Sequence, residues 1–421
     1  MGLLTPPSPA SAAPEEDYHG VIRLLLDDQR EAVASLRGRL AAERAAAPGL
    51  WREAGGDPQE LGRRIWQDPR LQTWGFFEFL VDRAYGMIQE DARDTEALLR
   101  LAVDVAELLA PERYGAGARE AAKARAWTWL ANILRVQGHF QQAETAFQTA
   151  ELYLSRSWLD PLDEALLLEL RGALRRGQRR FEEAVELLDA AIAIYREVND
   201  PHLQGRALTI QGLVLQYMGN PAAAADLFRR SLFLADGVRE PRLLVTSQYN
   251  LISCLQEAGQ TAEAAELIPE ARRMIEQVGK PADLLRLRWA EGRIDASRGR
   301  LDRAGETLRE VRQAFLDGAL TFDAALVSLD LAMVYLRQRR SEETRRLAAE
   351  MIPVFRSREV HREALAALIV FQQAAELDEL TAGLIEEIAA YLRQARGNPQ
   401  LRFRGEETGR PHGTAPPATD S

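Results

Sequence analysis

The chain has 421 residues, 53 of them basic and 63 acidic, for a net charge of −10. That balance counts against a protein that coats DNA, although a local basic patch can sit inside an acidic molecule. A single cysteine, Cys254, excludes an intramolecular disulfide and a cysteine-rich zinc site. No apolar run approaches the ~18 residues that a membrane span requires. Residues 1–15, MGLLTPPSPASAAPE, lack the basic flank and apolar core of a signal peptide. The chain therefore reads as soluble and cytoplasmic. Its length suits two or three domains of ~150 residues or one long repeat array.

Strand patterns are nearly absent, and Leu, Ala, Glu, Arg and Gln dominate. These are strong helix formers, which points to an all-α fold. Residues 1–16, rich in Pro, Ala and Ser, are expected to be a disordered tail. Residues 17–72, with Trp51 and Trp66, read as an N-terminal helical segment. Residues 73–121 read as a degenerate capping hairpin over Glu78–Ala110, with Ala97 as its small residue. Residues 122–360 carry six repeats. Residues 361–396 read as a C-terminal capping hairpin, with Leu384 at the small position. Residues 397–421, rich in Gly, Pro and Thr, are a second expected tail.

The repeat rests on two markers. Ala143, Ala184, Ala224, Ala264, Ala304 and Thr344 follow one another at 41, 40, 40, 40 and 40 residues. Pro161, Pro201, Pro241 and Pro281 also fall every 40 residues, each after a polar residue. Proline there stops one helix and suits the first turn of the next. Each unit reads as helix, turn, helix, turn. In the opening unit the helices are expected near Ala122–Gln137 and Phe140–Ser155. Apolar residues recur at three and four, as in Ala184, Leu187, Leu188, Ala191, Ile192 and Tyr195. Gly138, Gly219, Gly259 and Gly299 permit the positive φ that ends a first helix. Ala131, Gly172, Gly212 and Gly292 lie 12 before the marker and offer a small surface to the second helix. Phe147, Leu188, Phe228, Ile268 and Leu308 lie four after it and are expected to fill the seam to the next unit.

This pattern resembles the tetratricopeptide repeat, in a long variety of about 40 residues rather than the usual ~34. The segment AWTWLANILRVQGHFQQAETAFQTA matches best, with Trp127, Leu130, Ala131, Leu134, Gly138, Phe140, Ala143, Phe147 and Ala150 at motif spacing. The resemblance implies a right-handed α-solenoid whose concave groove, lined by the first helices, binds peptides or helices of partner proteins. It implies no chemistry.

The residues agree on that last point. No two of His19, His139, His202, His361 and His412 stand at i, i+4, and no metal or cofactor motif is found. No phosphate loop or nucleophile elbow occurs. The run Tyr114-Gly115-Ala116-Gly117 lacks both the third glycine and the preceding strand of a dinucleotide loop. Glu182-Glu183 and Glu342-Glu343 open second helices, where they complement the helix dipole. Cys254, within LISCL, reads as packed and inert. The chain is not expected to be an enzyme.

The candidate site is therefore the groove. Register places Arg125, Trp129, Asn132, Arg135, Arg176, Arg206, Tyr217, Tyr249, Asn250, Arg286, Trp289 and Arg293 on the inward side of the first helices. Trp, Tyr and Arg anchor interfaces, and arginine forks suit carboxylates. Asn132 and Asn250 suit the backbone of an extended peptide. The expected partner is a protein or peptide, with an acidic or C-terminal segment as one form. With only Lys123 and Lys280 in the chain, the Lys/Asn/Arg carboxylate clamp of chaperone-binding relatives is not reproduced. A regulatory sensor acting on a separate transcription or signalling protein is the alternative. Single-stranded nucleic acid is a further one, against which the pI near 5.3 counts.

Overall fold

The structure is a computed structural model that describes residues 18–88, 91–157, 160–357, 362–376 and 379–395. The two expected tails lie outside the described residues, as do His361 and His412. Among the described residues there are helices and no strand. They fall into two compact units. One takes the described residues up to Ile133 and those from Gln148 to Ser157. The other takes Leu134–Phe147 and the described residues from Asp160 onward.

The first unit opens with the long helix α1 (Tyr18–Glu53), followed by α2 (Pro58–Arg64), α3 (Trp74–Met87), α4 (Ala92–Leu108) and the short α5 (Pro111–Tyr114). Helix α3 packs on both α1 and α4. Gly75 makes the first contact possible, because a Cβ there would stand 2.4 Å from the α1 backbone. Glu43 of α1 is buried yet fully engaged. It accepts from the Gly75 N–H at 3.2 Å, the Tyr114 hydroxyl at 2.9 Å and Arg113 Nη2 at 2.5 Å. A buried carboxylate needs that degree of satisfaction. Ala97, expected to be the small residue of this region, is only half-buried, whereas Thr95 and Ala102 are fully enclosed. Helix α6 (Ala116–Val136) begins six residues before the expected Ala122, inside the segment read as 73–121.

The second unit is a run of helical hairpins. After α7 (Phe140–Leu154) come α8 (Pro161–Gly177) with α9 (Phe181–Glu197), α10 (Pro201–Tyr217) with α11 (Pro221–Leu234), and α12 (Pro241–Glu257) with α13 (Thr261–Val278). Then follow α14 (Pro281–Ser297) with α15 (Leu301–Asp317), α16 (Thr321–Arg337) with α17 (Ser341–Ser357), and α18 (Arg362–Glu376) with α19 (Ala382–Ala395). From α8 onward, each helix packs on its hairpin mate and each second helix on the next first helix, the arrangement of an α-solenoid. The four marker prolines are the first residues of α8, α10, α12 and α14. Asp160 and Asp200 cap α8 and α10, accepting from the N–H of Leu162 and Leu203.

The marker alanines 184, 224, 264 and 304 are fully buried. Opposite them the glycines set the helix spacing. A Cβ on Gly172 would come within 2.8 Å of Leu188, one on Gly212 within 2.9 Å of Phe228, and one on Gly292 within 2.9 Å of Leu308. The residues four after the marker thus press on the glycine of their own hairpin as well as facing the next unit, where Leu188 meets Val214 and Phe228 meets Val245. The turn five before the marker takes positive φ in every unit, at Gly138, Gly219, Gly259 and Gly299 and also at Arg179 and Arg339. A non-glycine residue there accepts a strain of roughly 1–2 kcal/mol. Cys254 is buried, and burial pushes its thiol well up, so it is inert as a nucleophile. No helix among the described residues is long and apolar enough to cross a membrane.

The hairpin spacing yields a stability prediction. Ala224→Trp should force α10 and α11 apart and cost about 3 kcal/mol, seen as a lowered urea midpoint. A midpoint equal to the parent's would contradict the packing described.

Candidate partner-binding site

The twelve residues expected in the groove divide between the units. Arg125, Trp129 and Asn132 belong to the first and the other nine to the second. In the first unit Trp129 is buried, with its ring edge-on to Tyr85 at 5.2 Å. Asn132 is also buried and has a partner. Arg125 acts electrostatically on Glu78 and Asp82 of α3. Burial, then Glu78, raises the Asp82 carboxyl, and the Arg125 charge opposes them. Trp129 and Arg125 thus make contacts within their own unit.

In the second unit most of the expected arginines also have carboxylates. Glu169 of α8, 1% exposed, takes both Arg206 Nε and Nη2 at 2.8 Å and the Tyr195 hydroxyl at 2.7 Å. Burial, with Glu169 alongside, drives the Tyr195 phenol strongly upward, so it serves as a donor only. Arg286 reaches Asp323 at 3.2 Å and Asp283 at 3.5 Å. Trp289 is buried and donates its indole N–H to Asp330 at 2.6 Å, and Arg293 lies 3.9 Å from the same carboxylate. Tyr249 has a partner as well. The acids Glu169, Asp323 and Asp330 lie on first helices and stand 37 or 41 residues from these partners. The sequence reading passed over them, yet one repeat length plus or minus about a helical step locates each.

Arg135 has a partner too, which leaves Arg176, Tyr217 and Asn250. Arg176, half-buried near the end of α8, makes no hydrogen bond or ion pair with any described residue. Burial pushes its guanidinium down, and the Tyr217 phenol works the other way. Arg135 is pushed down to about 9 by burial first and by the Arg176 charge second. The two like charges are thus neighbours. Tyr217, 39% exposed, stacks in parallel on Phe181, with ring centroids 6.4 Å apart. Arg179 lies over the same Phe181 ring at 5.6 Å. The half-buried Asn250 amide is likewise without a hydrogen bond to any described residue. Arg176, Tyr217 and Asn250 sit on α8, α10 and α12, first helices that touch in succession. Phe181 and Arg179 were missed because they lie at the start of α9 and in the turn before it. A visible signal was the aromatic residue three before the marker, found only at Phe140 and Phe181.

The family model for the tetratricopeptide repeat matches residues 163–235, the two hairpins α8–α11. Over those two hairpins the chain is of the tetratricopeptide-repeat type. Comparison with curated sequences finds no match. Among solved structures, a Rap protein complexed with competence and sporulation factor is similar at 13% identity. It covers 77% of this chain and 87% of its own, with a TM-score of 0.56. The apo form of RapI is similar at 14% identity, over 86% of this chain and 98% of its own, with a TM-score of 0.56. A STAND signal-transduction ATPase with a tetratricopeptide-repeat sensor, from Pyrococcus horikoshii, is similar at 15% identity. It covers 80% of this chain and 52% of its own, with a TM-score of 0.52.

Within this tetratricopeptide array the arginines fall into two classes, which mutation separates. Arg206→Ala leaves the buried Glu169 charge uncompensated and should cost about 3 kcal/mol or more. Arg176→Ala removes only a cation from a helix end, worth about 1 kcal/mol at most. Chemical unfolding of the two variants side by side measures the difference, and equal losses would contradict the assignment.

Proposed function

We propose that this chain is a non-catalytic interaction module that binds a peptide or helix of a partner protein along its first helices. The observation that carries the reading is a row on α8, α10 and α12: the Arg176 guanidinium and the Asn250 amide, without hydrogen bonds to any described residue, and the exposed Tyr217 on the helix between theirs. Unsatisfied, half-buried polar groups are costly, and a ligand that completes their hydrogen bonds removes that cost. Arginine, tyrosine and asparagine supply a fork, an aromatic face and an amide, which together suit an extended polypeptide. The fold is one in which a relative has been solved with competence and sporulation factor bound, which supports the same general use here.

A second reading makes the module regulatory, so that partner binding controls a separate transcription or signalling protein. The likeness to the Rap proteins and to the sensor of a signal-transduction ATPase favours it. Both readings need the same binding face. A single-stranded nucleic acid is less well supported, because Arg206, Arg286 and Arg293 are engaged by carboxylates and are not available to phosphates.

The triple variant Arg176→Ala, Tyr217→Ala, Asn250→Ala tests the proposal. Affinity purification with mass spectrometry should recover a partner with the parent protein and not with the variant, at unchanged helicity and melting. Recovery of the same partner by both would move the binding face elsewhere.

A further inference from the structure

The repeat pattern is broken at one turn between hairpins. Helix α9 runs to Glu197 and α13 to Val278, whereas α11 stops at Leu234, three or four residues short of the equivalent positions. Residues 235–240 thus form a longer turn before α12. Phe233 just ahead of it, 87% exposed, and Val238 within it, 93% exposed, are the most exposed large apolar side chains among the described residues.

Asp236 organises this turn. Its carboxylate accepts from the Val238 N–H at 2.8 Å and the Arg239 N–H at 3.4 Å, and its carbonyl accepts from the Glu240 N–H at 3.0 Å. The Asp236 N–H donates in turn to Nδ1 of His202, a buried residue of α10, at 3.1 Å. That hydrogen bond fixes the tautomer. Nδ1 accepts only when unprotonated, so the proton of the neutral ring sits on Nε2, which faces Glu240 at 3.5 Å. In the hairpins before and after, the equivalent residues are Leu162, Arg242, Ala282 and Phe322, so among these units the histidine accompanies the long turn. Four charged groups act on the ring: Arg239 and Glu240 of the turn, and Arg206 and Asp200 of α10 and its cap. Asp200 is itself engaged by Arg239 at 3.0 Å, and Arg206 by Glu169 of α8. Burial is the largest influence, and with the two arginines it outweighs the two acids and holds the imidazole below its ordinary range.

We propose that His202 is a proton-sensitive latch for the α11–α12 turn, closed by the neutral imidazole and released when Nδ1 is protonated. An imidazolium sets its Nδ1–H against the Asp236 N–H, donor to donor, and leaves both without an acceptor. The ring therefore takes its second proton as the turn opens. Opening is coupled to proton uptake, so the latch is complete above the ordinary imidazole value of about 6.5 and weakens as pH falls below it. The freed turn takes with it Arg239, whose ion pair with Asp200 joins this turn to the one before α10. The latch needs no ligand, and it stands whether or not the first helices bind a peptide.

Hydrogen exchange on the full chain tests the latch, read as protection factors corrected for the intrinsic pH dependence of amide exchange. Between about pH 7.5 and about pH 5 the amides of residues 236–240 should lose protection about tenfold or more, while the α13–α14 turn, which has no histidine, keeps its own. His202→Asn places a neutral carbonyl oxygen where Nδ1 stands and should keep the turn protected while removing the pH dependence. If that variant is too unstable to measure, the comparison of the two turns in the parent still decides. No loss of protection at residues 236–240, equal loss in both turns, or the same pH dependence in His202→Asn overturns the latch.

Discussion

The structure depends on how closely two helices of a hairpin can approach. At Gly172, Gly212 and Gly292 the space that a Cβ would fill is already held by Leu188, Phe228 and Leu308. The fully buried alanines 184, 224 and 304 stand on the opposite helix of the same hairpins. Interiors are packed too tightly for either partner to give way at low cost. That contact fixes the depth of each hairpin, and the period of 40 follows from repeating it. Everything else in the second unit, including which side chains meet across units, is a consequence of that register.

One consequence is electrostatic. Once first helices abut, a residue faces positions about one repeat away. Arg206 meets Glu169, Arg242 meets Asp283, Arg286 meets Asp323, and Trp289 meets Asp330. The Glu169–Arg206–Tyr195 group is well enclosed, and a charge there is tolerable because every partner is present. A second buried set is uncharged. Thr209, Ser231 and Ser247 form a closed triangle of hydroxyls at 2.7, 2.8 and 3.2 Å, joining α10, α11 and α12. Most inward polar groups in this unit therefore serve cohesion between repeats. Arg176 and Asn250 stand outside that pattern, and this is why they are the better markers of a binding face than the arginine count was.

Legibility in the sequence follows the same division. The hairpins, their period, the N-terminal prolines and the glycine turns could be read because each depends on one residue type in one local conformation. Arg179 and Arg339 escaped because neighbouring packing holds them at positive φ against their own preference. The start of α6 escaped because good helix formers, Ala116 through Ala122, precede the expected boundary and carry no stop signal. Ala97 misled because the degenerate hairpin packs against α1 as well as within itself, which changes the face that is enclosed. The groove residues were read from register alone, whereas their availability depends on acids a repeat away. Pairing at a separation of 37 or 41 is arithmetic on the period, so the paired class was recoverable from sequence once the repeat was known. The unpaired class was not, since it requires knowing that no carboxylate among the described residues reaches Arg176.

Repeat architecture also explains how a half-buried arginine without an ion pair to any described residue persists in the fold. In a compact domain, a strained or unsatisfied group draws on the stability of the whole. In a linear array each unit's stability comes from itself and its neighbours. The burial cost of Arg176 near the end of α8 is therefore confined to its own hairpin and the neighbours of that hairpin, where the Phe140–Gly177 and Phe181–Tyr217 contacts also lie. The placement near helix C-termini helps further, because the backbone carbonyls there favour cations. A position that the helix dipole already stabilises can hold the Arg176 guanidinium without an ion pair to any described residue. At the same place in α10 and α12, Gln216 and Gln256 bond to Glu257 and to the Ala290 carbonyl, whereas α14 and α16 carry the uncharged Ala296 and Leu336.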